Sequence, residues 1–150
     1  MRSEVQELID AVLDEADFLD ELVDAVREQR EAMKARDATG VDELLKETRE
    51  IFFDVETQES QRSDLAKKLA ARLGGEPRAD SLSALMEEDE RALFNGAVDR
   101  LTQCVFVLKS EMLILSGLID QNEKYTSMLL SEWRRLMGDV SQAGATDFRG

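Results

Sequence analysis

Residues 94–119 read FNGAVDRLTQCVFVLKSEMLILSGLI, and this stretch decides the fold. From Phe94 to Ile119 its apolar residues recur at alternating steps of three and four, which is the period of a helix that packs along one seam. The same period continues to Leu136 with no proline in between. The sequence therefore predicts one helix over about 87–137. At about 1.5 Å per residue it would be a rod roughly 75 Å long, which needs equally long helices beside it.

Two earlier stretches supply those partners. Both carry apolar residues at helical spacing, and they are joined by a short turn in which Asp37 or Thr39 can cap a helix and Gly40 can take a positive φ. Gly74 and Pro77 stop the second helix. We expect an all-α fold, an elongated antiparallel three-helix coiled-coil bundle with one long C-terminal helix, in a single domain. The predicted helices are 4–36, 41–73 and 87–137, with a short turn at 81–86 and a mobile tail at 138–150.

Composition restricts the function. The net charge of −14 argues against nucleic acid and against an anionic membrane as partners. Histidine is absent, which removes the commonest general base and metal ligand, so no enzyme, metal or cofactor is expected. The apolar window Cys104–Ile119 carries Lys109 and Glu111 and is short for a membrane span, so we expect a cytoplasmic protein without membrane insertion. Cys104, the only cysteine, is expected to be a buried inert thiol rather than a nucleophile.

Two charged residues interrupt the predicted seams. If the first turn centres near residues 38–39, antiparallel partners have numbers that sum to about 77. That register places Glu15 opposite Arg62, where the two can neutralise each other; alternatively, both side chains reach outward to solvent. The remaining acids of the first helix form either a solvated face or a site for a basic partner.

The long helix carries more apolar residues than one seam needs. Phe106, Val107, Leu113 and Ile114 fall on positions that face away from it, so part of this helix is apolar on nearly every side. Three elements could cover that back: the turn Leu82–Met86, a second copy of the chain, or another protein.

Several segments, in this order, resemble the FlgN family of flagellar export chaperones. They are Glu28-Gln29-Arg30, the turn Ala35-Arg36-Asp37 before Leu44-Leu45-Lys46-Glu47, the helix end Arg62-Ser63-Asp64-Leu65 to Leu73-Gly74, and Leu118-Ile119-Asp120-Gln121-Asn122 followed by Leu129-Leu130. The resemblance implies a chaperone without enzymatic activity. It would bind unassembled hook-associated proteins, prevent their premature association and bring them to the flagellar export gate.

The resemblance and the surplus apolar residues both point to the last helix as the partner-binding surface. Asn122 on its seam either fixes the helix register or binds the client. The alternative function is a structural coiled-coil adaptor that forms a homodimer through the same helix. The candidate partner-binding residues are Leu113, Ile114, Leu118, Asn122, Tyr125, Met128, Leu130, Trp133 and Met137.

Overall fold

The computed structural model describes residues 2–120 and 134–135. The described part of the chain is helical, without strands, so the predicted all-α class is confirmed there. It contains four helices: α1 (Ser3–Lys34), α2 (Ala38–Leu73), α3 (Ala79–Ala84) and α4 (Glu88–Asp120). The first two and the start of α4 lie within about three residues of the predicted bounds, which is the usual uncertainty of helix ends. The predicted tail at 138–150 lies outside the described residues.

The turn between α1 and α2 is closed by Asp37. Its side chain caps α2 by accepting a hydrogen bond from the backbone N–H of Gly40 at 3.0 Å. The left-handed position of this turn is held by Arg36, with φ 55°, and not by Gly40 as the sequence suggested. A Cβ at Gly40 would force the Asp37 carboxylate, which caps α2, to move.

The far end of α2 stops at a glycine as predicted. Gly74 takes φ 79° and ψ 29°, and its N–H and that of Gly75 both bond the carbonyl of Ala70. Such a left-handed residue satisfies carbonyl groups that the helix end would leave unpaired.

Helix α1 lies antiparallel to α2. At one end of the pair Glu4 meets Arg72, and at the other end the Gln29 side chain donates to the carbonyl of Val41 at 3.3 Å. These two contacts show that the helices run in opposite directions, as expected for two helices joined by a short connection.

Helix α1 lies parallel to α4. Arg2 bonds Glu90 at the beginning of the two helices, and Arg30 bonds Glu111 near the other end. Within the described residues α1 is therefore the element against which both long helices pack. Over the same residues, the buried stripe of α1 is broader than that of α4. The stripe comprises Val5, Leu8, Ile9, Val12, Ala16, Leu19, Leu22, Val23, Val26 and Met33.

The position of Arg135 contradicts a single straight rod over 87–137. The Arg135 guanidinium lies over the ring of Phe52, with Cζ 5.2 Å from the ring centroid. Phe52 sits in the middle of α2, about 20 Å from the turn that begins α2. A straight continuation of α4 would instead carry residue 135 about 22 Å beyond Asp120, past that turn. Arg134 and Arg135 therefore do not lie on the straight axis of α4.

An ion pair lies in the middle of the α1–α2 interface. Arg62 Nε donates to Glu15 Oε1 at 2.6 Å, and both side chains have 0% exposure. Arg62 Nη2 also lies 3.7 Å from Glu59 on its own helix. The predicted pairing is confirmed, and the alternative in which both side chains reach solvent is wrong. Because both charges have been taken out of water, the close contact between them offsets much of the cost of their burial.

We predict that Glu15→Leu and Arg62→Leu each lower the free energy of unfolding by about 3 kcal/mol or more, because each removes the closest opposite charge from a fully buried group. The double variant should recover most of that loss. Urea unfolding followed by circular dichroism measures all three variants. The exposed Glu4–Arg72 pair provides the matched control, since leucine substitutions there should cost no more than about 1 kcal/mol. Simple addition of the two single effects would contradict the coupling.

A second buried carboxylate joins the starts of α1 and α4. Glu90 has 0% exposure and accepts hydrogen bonds from the backbone N–H, Nε and Nη2 of Arg2. It also accepts from the backbone N–H of Glu87 at 3.1 Å, which is one half of a capping box. The bonds from Arg2, chiefly from its guanidinium, lower the pKa of Glu90 to about 2 although burial opposes that change.

This pKa has a consequence for stability. Because the folded-state pKa of about 2 lies below the ordinary value of 4.5, the stabilisation by Glu90 is complete above pH 4.5 and is lost as the pH falls toward 2. We predict that Glu90→Gln lowers the urea midpoint at pH 7 and that the gap to the wild type narrows between pH 4.5 and 2. Glu88→Gln, in the same helical turn but exposed, should follow the wild-type pH dependence. A constant gap for Glu90→Gln would contradict the assignment.

Candidate functional site

The inner face of α4 packs on α1. Phe94, Leu101, Leu108, Met112 and Leu115 recur at helical spacing and are at most 1% exposed. Val105 and Ile119 are also buried, so the seam predicted from the sequence is confirmed as far as Ile119. This face fixes which side of α4 is left toward solvent.

The opposite side of α4 carries large apolar side chains in solvent. Phe106 is 65% exposed, Leu113 63% and Ile114 53%; we call these three residues the outer strip. Val107, predicted to face the same way, is instead partly buried against the core. The turn Leu82–Met86 does not cover the strip, because it packs at the other end of α4, where Leu82 and Met86 are buried.

The strip leads to an open groove at the edge between α4 and α1. The groove has a volume of about 540 Å³ and is lined by Ile114, Gly117 and Leu118 of α4 and by Arg30 and Lys34 of α1. Apolar side chains line it on the α4 side and basic ones on the α1 side, and Leu118 packs partly against the core. The geometry suits an apolar side chain of a partner helix.

The predicted partner-binding residues are only partly described. The structure brings Leu113, Ile114 and Leu118 together on one edge of α4, where the first two are exposed. The others lie outside the described residues and remain a prediction: Asn122, Tyr125, Met128, Leu130, Trp133 and Met137.

Beside the strip, α1 presents basic side chains to α4. Arg30 Nη1 lies 2.6 Å from Glu111 Oε2, and Arg27 Nε lies 3.3 Å from Glu111 Oε1. Burial tends to raise the pKa of Glu111, but the two arginines outweigh it and the pKa is lowered. Sequence inspection missed this cluster because its members come from helices about eighty residues apart. The available signal was that basic residues, absent from 3–26, first appear in the last third of α1.

Farther toward the N-terminus the charges are reversed. Arg100 of α4 reaches Asp17 at 2.5 Å and Asp20 at 3.1 Å on α1. Cys104 is buried, and its thiol donates to Asp20 Oδ1 at 3.2 Å; burial is the main cause that raises the Cys104 pKa to about 11. The thiol is therefore protonated and unreactive at neutral pH, as predicted. Part of the acidic face of α1 also serves to hold α4.

No cluster of metal-ligand side chains occurs in residues 2–120 or 134–135. The features that distinguish the described surface are thus the outer strip, its groove and the charges around them.

Among the helices that the structure describes, one, Glu88–Ile119, is long and apolar enough to cross a membrane by length and composition. The window Cys104–Ile119 was expected to be short for a membrane span, whereas the longer helix reaches the required length. The core helix of a soluble protein has the same length and composition. In this structure α4 packs its apolar seam on α1 and bonds charged α1 residues through Arg100 and Glu111.

Comparison with known proteins places the chain in a family. The FlgN protein family model matches residues 1–139, which is nearly the whole chain. No curated protein and no solved structure gives a significant match. The family is a chaperone family and is not known for enzymatic activity. On this match, and with an all-helical fold that agrees with it, the chain belongs to the FlgN family of flagellar chaperones.

Proposed function

We propose that this protein is a cytoplasmic flagellar export chaperone that binds unassembled hook-associated proteins. The observation that supports the proposal is the outer strip of α4, which lies in solvent on a member of the FlgN family. By covering the terminal helices of its clients, the chaperone prevents their premature association, and it then delivers them to the export gate. It acts by binding and not by catalysis, and neither nucleic acid nor a membrane takes part.

Helix α4 suits such binding because its two faces have separate tasks. Its seam is held against α1 by residues such as Leu108 and Leu115, both 0% exposed, so the outer strip is presented on a rigid backbone. An amphipathic client helix would place its apolar stripe along the strip and its neighbouring groove, which is helix-in-groove recognition. Little ordering of the chaperone would then be needed on binding, which reduces the entropic cost.

The proposed surface extends past the described residues. Tyr125, Met128, Leu130, Trp133 and Met137 continue the apolar sequence, and methionine side chains adapt readily to different partner surfaces. We also propose that the whole chain forms one domain, an elongated antiparallel three-helix coiled-coil bundle. The Arg135–Phe52 contact is part of that packing, because it joins Arg135 to the middle of α2.

We predict that Leu113→Asp combined with Ile114→Asp weakens binding of a purified hook-associated protein at least tenfold, because two carboxylates would have to be desolvated beneath an apolar helix. Fluorescence anisotropy with labelled client measures the affinity. Both residues are more than half exposed, so helicity by circular dichroism should stay close to wild type. Leu130→Asp with Met137→Asp tests the same proposal beyond the described residues.

Leu93→Asp provides the control, because Leu93 is 55% exposed near the start of α4, about 20 Å along the helix from Phe106. Its effect on client affinity should be small. Unchanged binding by the Leu113/Ile114 variant would contradict the proposed surface. A permanent dimer that client does not alter, measured by light scattering, would favour the structural adaptor.

A further inference from the structure

The outer strip is bordered by positive charge on both sides. On the α1 side lie Arg27, Arg30 and Lys34, of which Arg30 and Lys34 line the groove beside Ile114. On the other side lies Lys109 of α4. We call these four residues the cationic border.

The place of Lys109 follows from helix geometry. It is three residues after Phe106 and four before Leu113, so it is a surface neighbour of both. Glu111, which faces α1, is two residues farther along and hence about 200° around the helix from Lys109. The strip therefore runs between Lys109 and the α1 cations.

The balance of charge at the border is positive, in contrast to the chain as a whole. Glu111 is the only acid in α4 between residues 100 and 119, and both Arg27 and Arg30 bond it. One of those two arginine charges is thus in excess. Lys34, 56% exposed, contacts Glu31 only at 3.5 Å, in a pair that solvent screens. These positive residues are set in a chain of net charge −14.

We propose that the cationic border is a specificity device: it selects apolar helices whose stripe is flanked by acidic residues. The inference rests on the proposed chaperone function and adds a charge requirement to it. The apolar strip alone cannot discriminate among amphipathic helices, whereas acids on either side of a client stripe would meet Lys109 on one flank and Arg30 and Lys34 on the other.

A second copy of the chain fits this surface less well. A two-fold interface brings the same patch of both copies together, so cations would be brought near cations. The three strip side chains are also few for the roughly 800 Å² per partner that a stable interface buries. An acidic-flanked helix avoids the charge repulsion, because its acids would lie beside the cations.

Two synthetic helical peptides provide the probes. They share one leucine stripe, and the positions flanking the stripe are all glutamate in one and all lysine in the other. Binding to the full chain is measured by fluorescence anisotropy at about 0.1 M ionic strength or below, where surface charge is incompletely screened. Net charge alone predicts tighter binding of the lysine peptide to this acidic protein. The cationic border predicts the reverse, with the glutamate peptide favoured about five- to tenfold.

Charge reversal locates the effect. Lys34→Glu with Lys109→Glu should abolish or invert the preference, whereas Lys67→Glu with Lys68→Glu, exposed on α2 and with the same change in net charge, should keep it. Phe106→Ser with Leu113→Ser should weaken both peptides without loss of helicity, because these side chains are exposed.

Each contrary result is decisive. Tighter binding of the lysine peptide, or a glutamate preference that survives reversal at Lys34 and Lys109, overturns the border. The proposal is also overturned if sedimentation shows a dimer that the Phe106→Ser/Leu113→Ser substitutions dissociate, because a second copy of the chain would then cover the outer strip. If a hook-associated protein binds the wild type and the Lys34/Lys109 variant equally well, the proposed role of the cationic border is wrong and the chaperone function stands. If no hook-associated protein binds but the peptides show the glutamate preference, the chaperone function is wrong and the role of the cationic border stands.

Discussion

The Glu15–Arg62 pair fixes the register on which the other interactions depend. Both charges are fully buried between α1 and α2, and neither can be left without compensation. A slip of one helical turn would separate them and bury each opposite an apolar surface. A uniform leucine seam tolerates such slips, so the pair supplies specificity more than net stability. With α2 set in one register, the side of α1 that faces α4 is set as well.

On the side of α1 that faces α4, acidic and basic residues occupy different parts of the helix. Acids come first and hold Arg100, while arginines follow and hold Glu111. The parallel arrangement of α1 and α4 satisfies both zones together; an antiparallel arrangement would bring acids to Glu111 and arginines to Arg100. Glu90 adds a further bond at the starting end through Arg2. Orientation is thus set by charge, whereas the apolar seam supplies most of the attraction.

Helical periodicity was enough to predict α1, α2, the start of α4, the seam as far as Ile119 and the Glu15–Arg62 contact. Each of these follows from spacing within one or two neighbouring helices. It also predicted that Phe106, Leu113 and Ile114 face away from the seam. It failed where distant parts of the chain meet. The central position of α1 depends on how broad its buried stripe is relative to that of α4. The Arg135–Phe52 contact depends on tertiary packing that an uninterrupted heptad pattern does not reveal. Arg27 and Arg30 do not stand out in the sequence. Their place beside the outer strip follows only from their contacts with Glu111 of α4 and from the position of Lys109 on the other side of the strip.

The outer strip presents a physical conflict, since exposed apolar surface favours self-association. The composition of the chain mitigates it: at a net charge of −14, two copies repel each other at a distance, and the local cations oppose a symmetric contact at the strip itself. An acidic-flanked helix escapes the local repulsion and gains attraction at short range. The rigid seam beneath the strip keeps the apolar surface small and defined. A surface of this kind can remain open in the free protein and still accept a helix when one arrives.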